Sequence, residues 1–331
     1  MPHPSKPVRR HTRRLLGRPG RPTACHVLPL GPDAAPPAVP IAGAGPSGRT
    51  STAAAAAMLA AALAAGCGGT APAAAGPGPA TLAPATLSLP SGYRLVWSDE
   101  FDTPGLPDPA RWVYDTGMNK AGWHNREKQY YSAARRENSE VRDGRLVITA
   151  RLEEMRQATD WGGQRYTSAR LITSGKAQWT YGFFEVRAKL PCGKGTWPAI
   201  WTLGNGTWPA AGELDILEQV GSDPTRVFST VHTASGSGAD GVSGITQLAT
   251  ACSAFHDYQM LWTPQRATFA IDGRVHHVYE NRGIGAAQWP FDAPQFLILS
   301  LAIGGNLGGA VDDAIFPVRF EIEHVRVYQA K

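Results

Sequence analysis

Between Tyr93 and the C-terminus the hydrophobic positions fall into short runs with the texture of strands. YRLVWSDEF, RLVITARL, ARLITSGKAQWT, GFFEVRAKL, AIWTLG, GELDILEQV, RVFSTVHT, YQMLWT, ATFAIDGRVHHVY, QFLILSLAIGG and FEIEHVRVYQ follow one another in order. Val, Ile, Phe, Tyr, Trp and Thr fill these runs, and Gly, Pro, Asp and Asn separate them, as strand and turn chemistry requires. Long amphipathic helical periods are absent from the sequence; a helical turn is expected only near Pro109–Trp112. Many strands without an internal repeat predict an all-β fold over residues 91–331. Its simplest form is a two-sheet β-sandwich, a β-jelly roll with one concave face.

One run departs from simple alternation. In WPAAGELDILEQVG, Trp208–Gly221, the acids are Glu213, Asp215 and Glu218. Side chains of a strand alternate between faces, so Glu213 and Asp215 share one face and Leu214 and Ile216 the other. Glu218 then falls on the wrong face unless one extra residue resets the alternation, which is what a β-bulge does. A bulge at Ile216–Leu217 is therefore expected, with all three carboxylates on the concave face. Carboxylates on an apolar strand are costly to bury without a purpose. A retaining glycosidase supplies one, because it needs two carboxyl groups roughly 5–5.5 Å apart. The pattern by itself also fits a half-exposed strand with an acidic outer face. Trp197, Trp201 and Trp208 lie just before these acids, and aromatic faces suit the apolar faces of pyranose rings.

Composition changes the picture at the N-terminus. The chain has 331 residues and a formal net charge of +5. Residues 1–66 hold eight of the basic residues (Lys6, Arg9, Arg10, Arg13, Arg14, Arg18, Arg21 and Arg49) and a single acid, Asp33. The remainder carries 24 basic and 26 acidic residues. The basic character thus belongs to the leader and gives no reason to expect nucleic-acid binding. Residues 53–65, AAAAAMLAAALAA, suit the apolar core of a signal peptide, being short for a membrane span. Gly66-Cys67 follows and resembles a bacterial lipoprotein signal, with Cys67 as the lipid anchor; an ordinary signal peptide cut nearby fits as well. Residues 1–67 read as leader, and residues 68–90, rich in Ala, Pro and Gly, as linker. An extracellular or membrane-anchored protein is expected. Cys192 and Cys252 remain in the exported part, either as a disulfide or as free thiols.

The strand region resembles glycoside hydrolase family 16, above all its bacterial laminarinases, which are endo-β-1,3-glucanases. WSDEF, NREKQYY, ENSEVRDGRLVITA, YTSARLITSGK, YGFFEVRAKLP, GTWPAIWTLG, WPAAGELDILEQVG, FHDYQMLWT, LSLAIGGN and VRVYQ carry the resemblance across residues 93–329. It implies a concanavalin A-like jelly roll and a β-glucan polysaccharide as substrate. It makes Glu213 the nucleophile, Glu218 the general acid/base and Asp215 their assistant. It places Asn125, Glu127, Arg170, Trp197, Trp201, Trp208, His232 and Asn306 along the sugar cleft. It implies no catalytic cofactor, and a structural calcium ion at Glu100, the Gly144 carbonyl and Glu323. A secreted monomer is the expectation. Two segments differ from the family's usual pattern: the WHNRE loop, with His124 and Arg126, and the residue after GGN, Leu307. They bear on linkage preference, which leaves mixed-linkage β-1,3-1,4-glucan or a galactan as alternative substrates. A non-catalytic glucan-binding protein is a further alternative, against which both Glu residues count.

Overall fold

The computed structural model describes residues 85–331, so the leader, with Cys25 and Cys67, lies outside the described residues. The strand-like runs form two stacked sheets. One has seven strands, in the order Val242–Gln247, Arg226–His232, Glu213–Gln219, Thr196–Gly204, Gln295–Ile303, Arg170–Ile172 and Val113–Tyr114. The other follows the order Arg274–Glu280, Arg266–Ile271, His256–Trp262, Gly182–Lys189, Val318–Ala330, Arg145–Leu152, Tyr166–Ser168 and Gln129–Tyr131. Tyr93–Asp99 also pairs with Val318–Ala330, and Ser139–Arg142 with Arg145–Leu152. Neighbours pair antiparallel apart from Gln129–Tyr131 and Tyr166–Ser168. This is the expected jelly-roll sandwich, not a closed barrel. Helical structure among the described residues is confined to single turns and the four-residue helix Gly305–Gly308. Near Pro109 the chain makes a turn held by Arg111 and Trp112 amides donating to the Asp108 carbonyl.

Alternation decides which side chains enter the space between the sheets. Leu146, Ile148 and Ala150 meet Leu297, Leu299 and Leu301 there, and Phe184, Trp262 and Phe269 fill it from the far end. These side chains are fully buried or nearly so. Apart from Ala150, each contributes roughly 1.5–3 kcal/mol of transfer free energy. Phe183, one residue before Phe184, points the opposite way and is covered by Leu87 with Ala270. Leu87 reaches it because its amide donates to the Gly273 carbonyl, while Val275 donates to that of Ala85. The last residues of the stretch read as linker are therefore docked on the domain.

Cys192 and Cys252 form a disulfide, which closes the question left open by the sequence. It ties the turn before Thr196–Gly204 to the turn before His256–Trp262, and so one sheet to the other. A second link joins the sheets through side-chain hydrogen bonds. The ladder between Arg266–Ile271 and Arg274–Glu280 carries a bulge, with Phe269 opposite His277 and Ala270 opposite Val275. His276 is the extra residue, and the bulge aims both imidazoles at the buried Ser229 hydroxyl, at 3.1 and 2.9 Å.

Candidate active site

The strand Glu213–Gln219 is bulged where the alternation required it. Against Thr196–Gly204, Asp215 pairs with Trp201 and Leu217 with Ile200, leaving Ile216 extra. Against Arg226–His232, Asp215 pairs with Thr230 and Glu218 with Phe228, so Ile216 and Leu217 together oppose Ser229. Both apolar residues turn into the core, and Leu214 is fully buried between the sheets. The acids face outward in three cross-strand rows. Leu203, Glu213 and His232 make one row; Ile298, Trp201, Asp215 and Thr230 the next; Arg170, Ser300, Ala199, Glu218 and Phe228 the third.

Each outer acid is held by its own indole. Trp208 Nε1 donates to Glu213 Oε2 at 2.8 Å, and Trp197 Nε1 donates to Glu218 Oε1 at 2.9 Å. Asp215 lies between them, 3% exposed, with Glu218 at 8%. Burial raises the pKa of all three carboxyls. For Glu213 the Asp215 charge adds to this effect, and for Asp215 the Glu218 charge does, while a hydrogen bond with Glu213 favours the Asp215 anion. Like charges this close do not all ionise together, so the cluster holds protons into the range where an isolated carboxyl would have lost them. That is the state needed by a pair of which one member must attack and the other must donate a proton.

His232 completes the cluster, with Nε2 3.3 Å from Asp215 Oδ2 and 3.8 Å from Glu213 Oε1. Gly241 packs against its ring so closely that a Cβ there would lie 2.6 Å from ring atoms. Trp208 covers the other side, its ring centre 6.1 Å from that of His232, yet remains 37% exposed, which leaves apolar surface for a sugar. Arg170 is ion-paired, with its Nε 2.9 Å from Asp115 Oδ2. Its guanidinium lies over two rings, 5.1 Å from Trp123 and 4.7 Å from Trp201, and Trp201 in turn donates to Ser300 Oγ. Glu127 is a fourth acid. It accepts from Gln129 and Tyr131, burial raises its pKa, and its charge pushes that of Glu218 upward.

Asn125 lies in the turn His124–Arg126 and Asn306 in the short helix Gly305–Gly308 beside it. Glu127 pairs with Gly304 as an isolated bridge, and a Cβ added at Gly305 would lie only 2.8 Å from the Asn125 carbonyl oxygen. Gly305 also has φ +75°, where side chains are strained. Asn125 adopts φ +58°, within the left-handed region that Asn tolerates. Both asparagines are exposed.

The calcium expectation does not match the side chains. Glu100 accepts two hydrogen bonds from Arg326, at 3.0 and 2.8 Å, and Glu323 accepts one from Arg187 at 2.7 Å. A guanidinium thus neutralises each carboxylate that a cation would need, and Gly144 contributes a turn carbonyl only. Among the described residues, the acids and histidines that do converge on one point are Glu213, Asp215 and His232.

Trp123, Asp115, Ser300 and Thr230 were not singled out beforehand. Trp123 stands two residues before the NREKQYY motif. Asp115, Ser300 and Thr230 owe their places to pairing across strands distant in sequence, for which a single chain gives no local signal.

A concave sheet bearing buried carboxyls that share protons, edged by indoles, defines a glycoside hydrolase. The chain belongs to glycosyl hydrolases family 16, whose family model matches residues 126–315. It is similar to a β-glucanase of Rhodothermus marinus, 45% identical over 72% of this chain and 85% of that protein. A glucan endo-1,3-β-glucosidase of Cryptopygus antarcticus is 35% identical over 70% of this chain and 90% of its own. The solved structure of a SCLam variant, a non-specific endo-β-1,3(4)-glucanase presenting 1,3-β-D-cellobiosyl-glucose at its active site, is 46% identical. Its TM-score is 0.73, covering 75% of this chain and 98% of that one.

Proposed function

We propose that the protein is a retaining endo-β-1,3-glucanase working by double displacement. Glu213 attacks the anomeric carbon and forms a glycosyl ester, while Glu218 gives its proton to the departing glycosidic oxygen. Glu218, now ionised, takes a proton from water; the water attacks the same carbon, releases Glu213 and leaves the β configuration unchanged. Asp215 bonds to Glu213 and sets its charge, and His232 fixes Asp215 from the side. Trp197, Trp201 and Trp208, with Arg170, Asn125, Glu127 and Asn306, line the cleft that holds the glucan. No metal takes part in these steps.

The observation that carries this reading is the bulged strand, with Glu213 and Glu218 on one face and a separate indole N–H on each. The similarity to endo-1,3-β-glucosidases supports β-1,3-glucan as substrate, and the similarity to SCLam supports a second activity on mixed-linkage β-1,3-1,4-glucan. Parallel assays of reducing-sugar release from laminarin, lichenan and agarose test this. Laminarin should be cleaved fastest, and release from agarose alone would overturn the assignment.

Export belongs to the same reading, with lipid attachment at Cys67 or cleavage nearby and a monomeric product of which residues 91–331 form the catalytic domain. The Cys192–Cys252 disulfide supports an oxidising compartment. N-terminal sequencing of exported protein checks it; a product that keeps Arg9–Arg21 would refute the leader assignment.

A further inference from the structure

A cavity of about 110 Å³ opens on the outer face of the ten-stranded sheet, on strands that take no part in the acid cluster. Alternation builds it. Leu146, Ile148 and Ala150 of Arg145–Leu152 face the core, so Val147, Thr149 and Arg151 face out. Glu140 pairs with Val147, and Arg319 pairs with Thr149, so both stand beside this outward row. Arg136 and Arg142 close the rim.

Arginines dominate the lining. Arg136, Arg142, Arg151 and Arg319 face the two acids Glu137 and Glu140. Glu140 is shared by Arg142 at 3.5 Å and Arg136 at 4.0 Å, and Glu137 lies 3.6 Å from Arg135 outside the lining. Arg319 pairs with no carboxylate among the described residues. Arg151 Nε lies 3.5 Å from Glu153, and its side chain is 40% exposed. Glu153 also takes two bonds from Arg135 and one from the Thr167 hydroxyl, so its charge is shared. Guanidinium groups match the geometry of oxyanions. The cavity therefore combines surplus positive charge with room for a small group.

We infer that this cavity is an oxyanion-binding site on the face away from catalysis, taking the sulfate or carboxylate substituent of an acidic polysaccharide. Arg151 and Arg319 supply the recognising donors, with Arg142 and the Thr149 hydroxyl beside them. An enzyme held this way on a charged cell-wall or matrix polymer would keep its opposite, catalytic face free for neutral glucan. The shared chemistry also admits a free inorganic oxyanion, so the test needs an arm for each source.

The purified full chain is run on native gels cast with a sulfated galactan, with a neutral galactan, or with neither. Calorimetry with sodium sulfate and sodium phosphate at low ionic strength gives the second arm. The variants are Arg319→Gln, at an exposed position without an ion pair, and Arg151→Gln, with thermal unfolding to confirm that each is folded. Retardation by the sulfated polymer alone is expected, relieved by salt and weakened about tenfold in either variant, the loss typical of a charge-assisted hydrogen bond. Hydrolysis of soluble laminarin should be unchanged. Sulfate binding that Arg319→Gln abolishes, without polymer retardation, would support the site and assign it to a free oxyanion. Neither effect in the wild type, or equal effects in wild type and folded Arg319→Gln, would overturn the proposal.

Discussion

Deleting Ile216 tests the geometric core of the site. In the present ladder Asp215 faces Trp201 and Thr230, Leu217 faces Ile200, and Glu218 faces Ala199 and Phe228. Without Ile216, Leu217 would face Ile200 on one side and Ser229 on the other, and every pair would be one for one. The sequence would read E-L-D-L-E, in which simple alternation puts all three acids on the outer face. The deletion should therefore fold and keep the acid cluster. Its cost is the loss of one buried aliphatic side chain, about 2–5 kcal/mol. For a domain of this size each kcal/mol moves Tm by about 2–4 °C, so a fall of roughly 5–20 °C is expected. A bulge also bends its strand, so the acids should shift slightly, and a misplacement near 1 Å can cost about 10²-fold in rate.

The assay is laminarin hydrolysis at a temperature well below the lowered midpoint, with circular dichroism as the check on folding. Activity should lie within about a hundredfold of wild type. An Ala inserted between Leu217 and Glu218 should do the opposite: it keeps the bulge and sends the glutamate inward, removing acid/base help worth about 10²–10⁴-fold. A deletion variant that is folded yet as inactive as Glu218→Gln, or an insertion variant that keeps its rate, would refute the claim that alternation and bulge set the site.

Three further predictions follow from named groups. Glu218→Gln should be nearly inactive on laminarin but form the glycosyl ester from an aryl glycoside with an acidic phenol, and azide should then yield a β-glycosyl azide; the same product from Glu213→Gln instead would reverse the roles. The native carboxyl of Glu213 has a raised pKa, so its contribution to stability is full below the unfolded pKa and is lost as pH rises through the native one. Glu213→Gln should thus melt a few degrees above wild type at neutral pH, with the gap closing on acidification; a lower Tm at all pH values would count against this. His276 and His277 have native pKa values lowered to about 4 by burial, with His277 further lowering that of His276. Stability should therefore fall as pH drops from about 6.5 towards 4, by up to about 3 kcal/mol for each imidazole. Pairwise replacement by Gln should flatten that loss in urea titrations across the range.

The parts of the fold readable in the sequence were those set by local periodicity. The strand runs, the sandwich and the bulge at Ile216–Leu217 all follow from which side chains share a face, and face is a property of neighbours in sequence. The indole bonds to Glu213 and Glu218 were half legible. The tryptophans stood beside the acids, but which indole meets which carboxyl depends on the loop at Trp208 and on the register of the Trp197 strand against the strand that carries Glu218. Arg170 shows the limit more sharply. The resemblance places it along the cleft, and the structure adds an ion pair that its sequence neighbours do not announce. Asp115 fixes the guanidinium in place, and that placement sets it on the rings of Trp123 and Trp201. Glu100 and Glu323 failed in the reverse direction. As acids they suited a cation, but Arg326 and Arg187 come to them from positions that only strand register reveals, and a guanidinium already in place removes the charge that would attract calcium. In each case the residue type stated what a side chain can do, and the partner supplied by a distant strand decided which of those things it does.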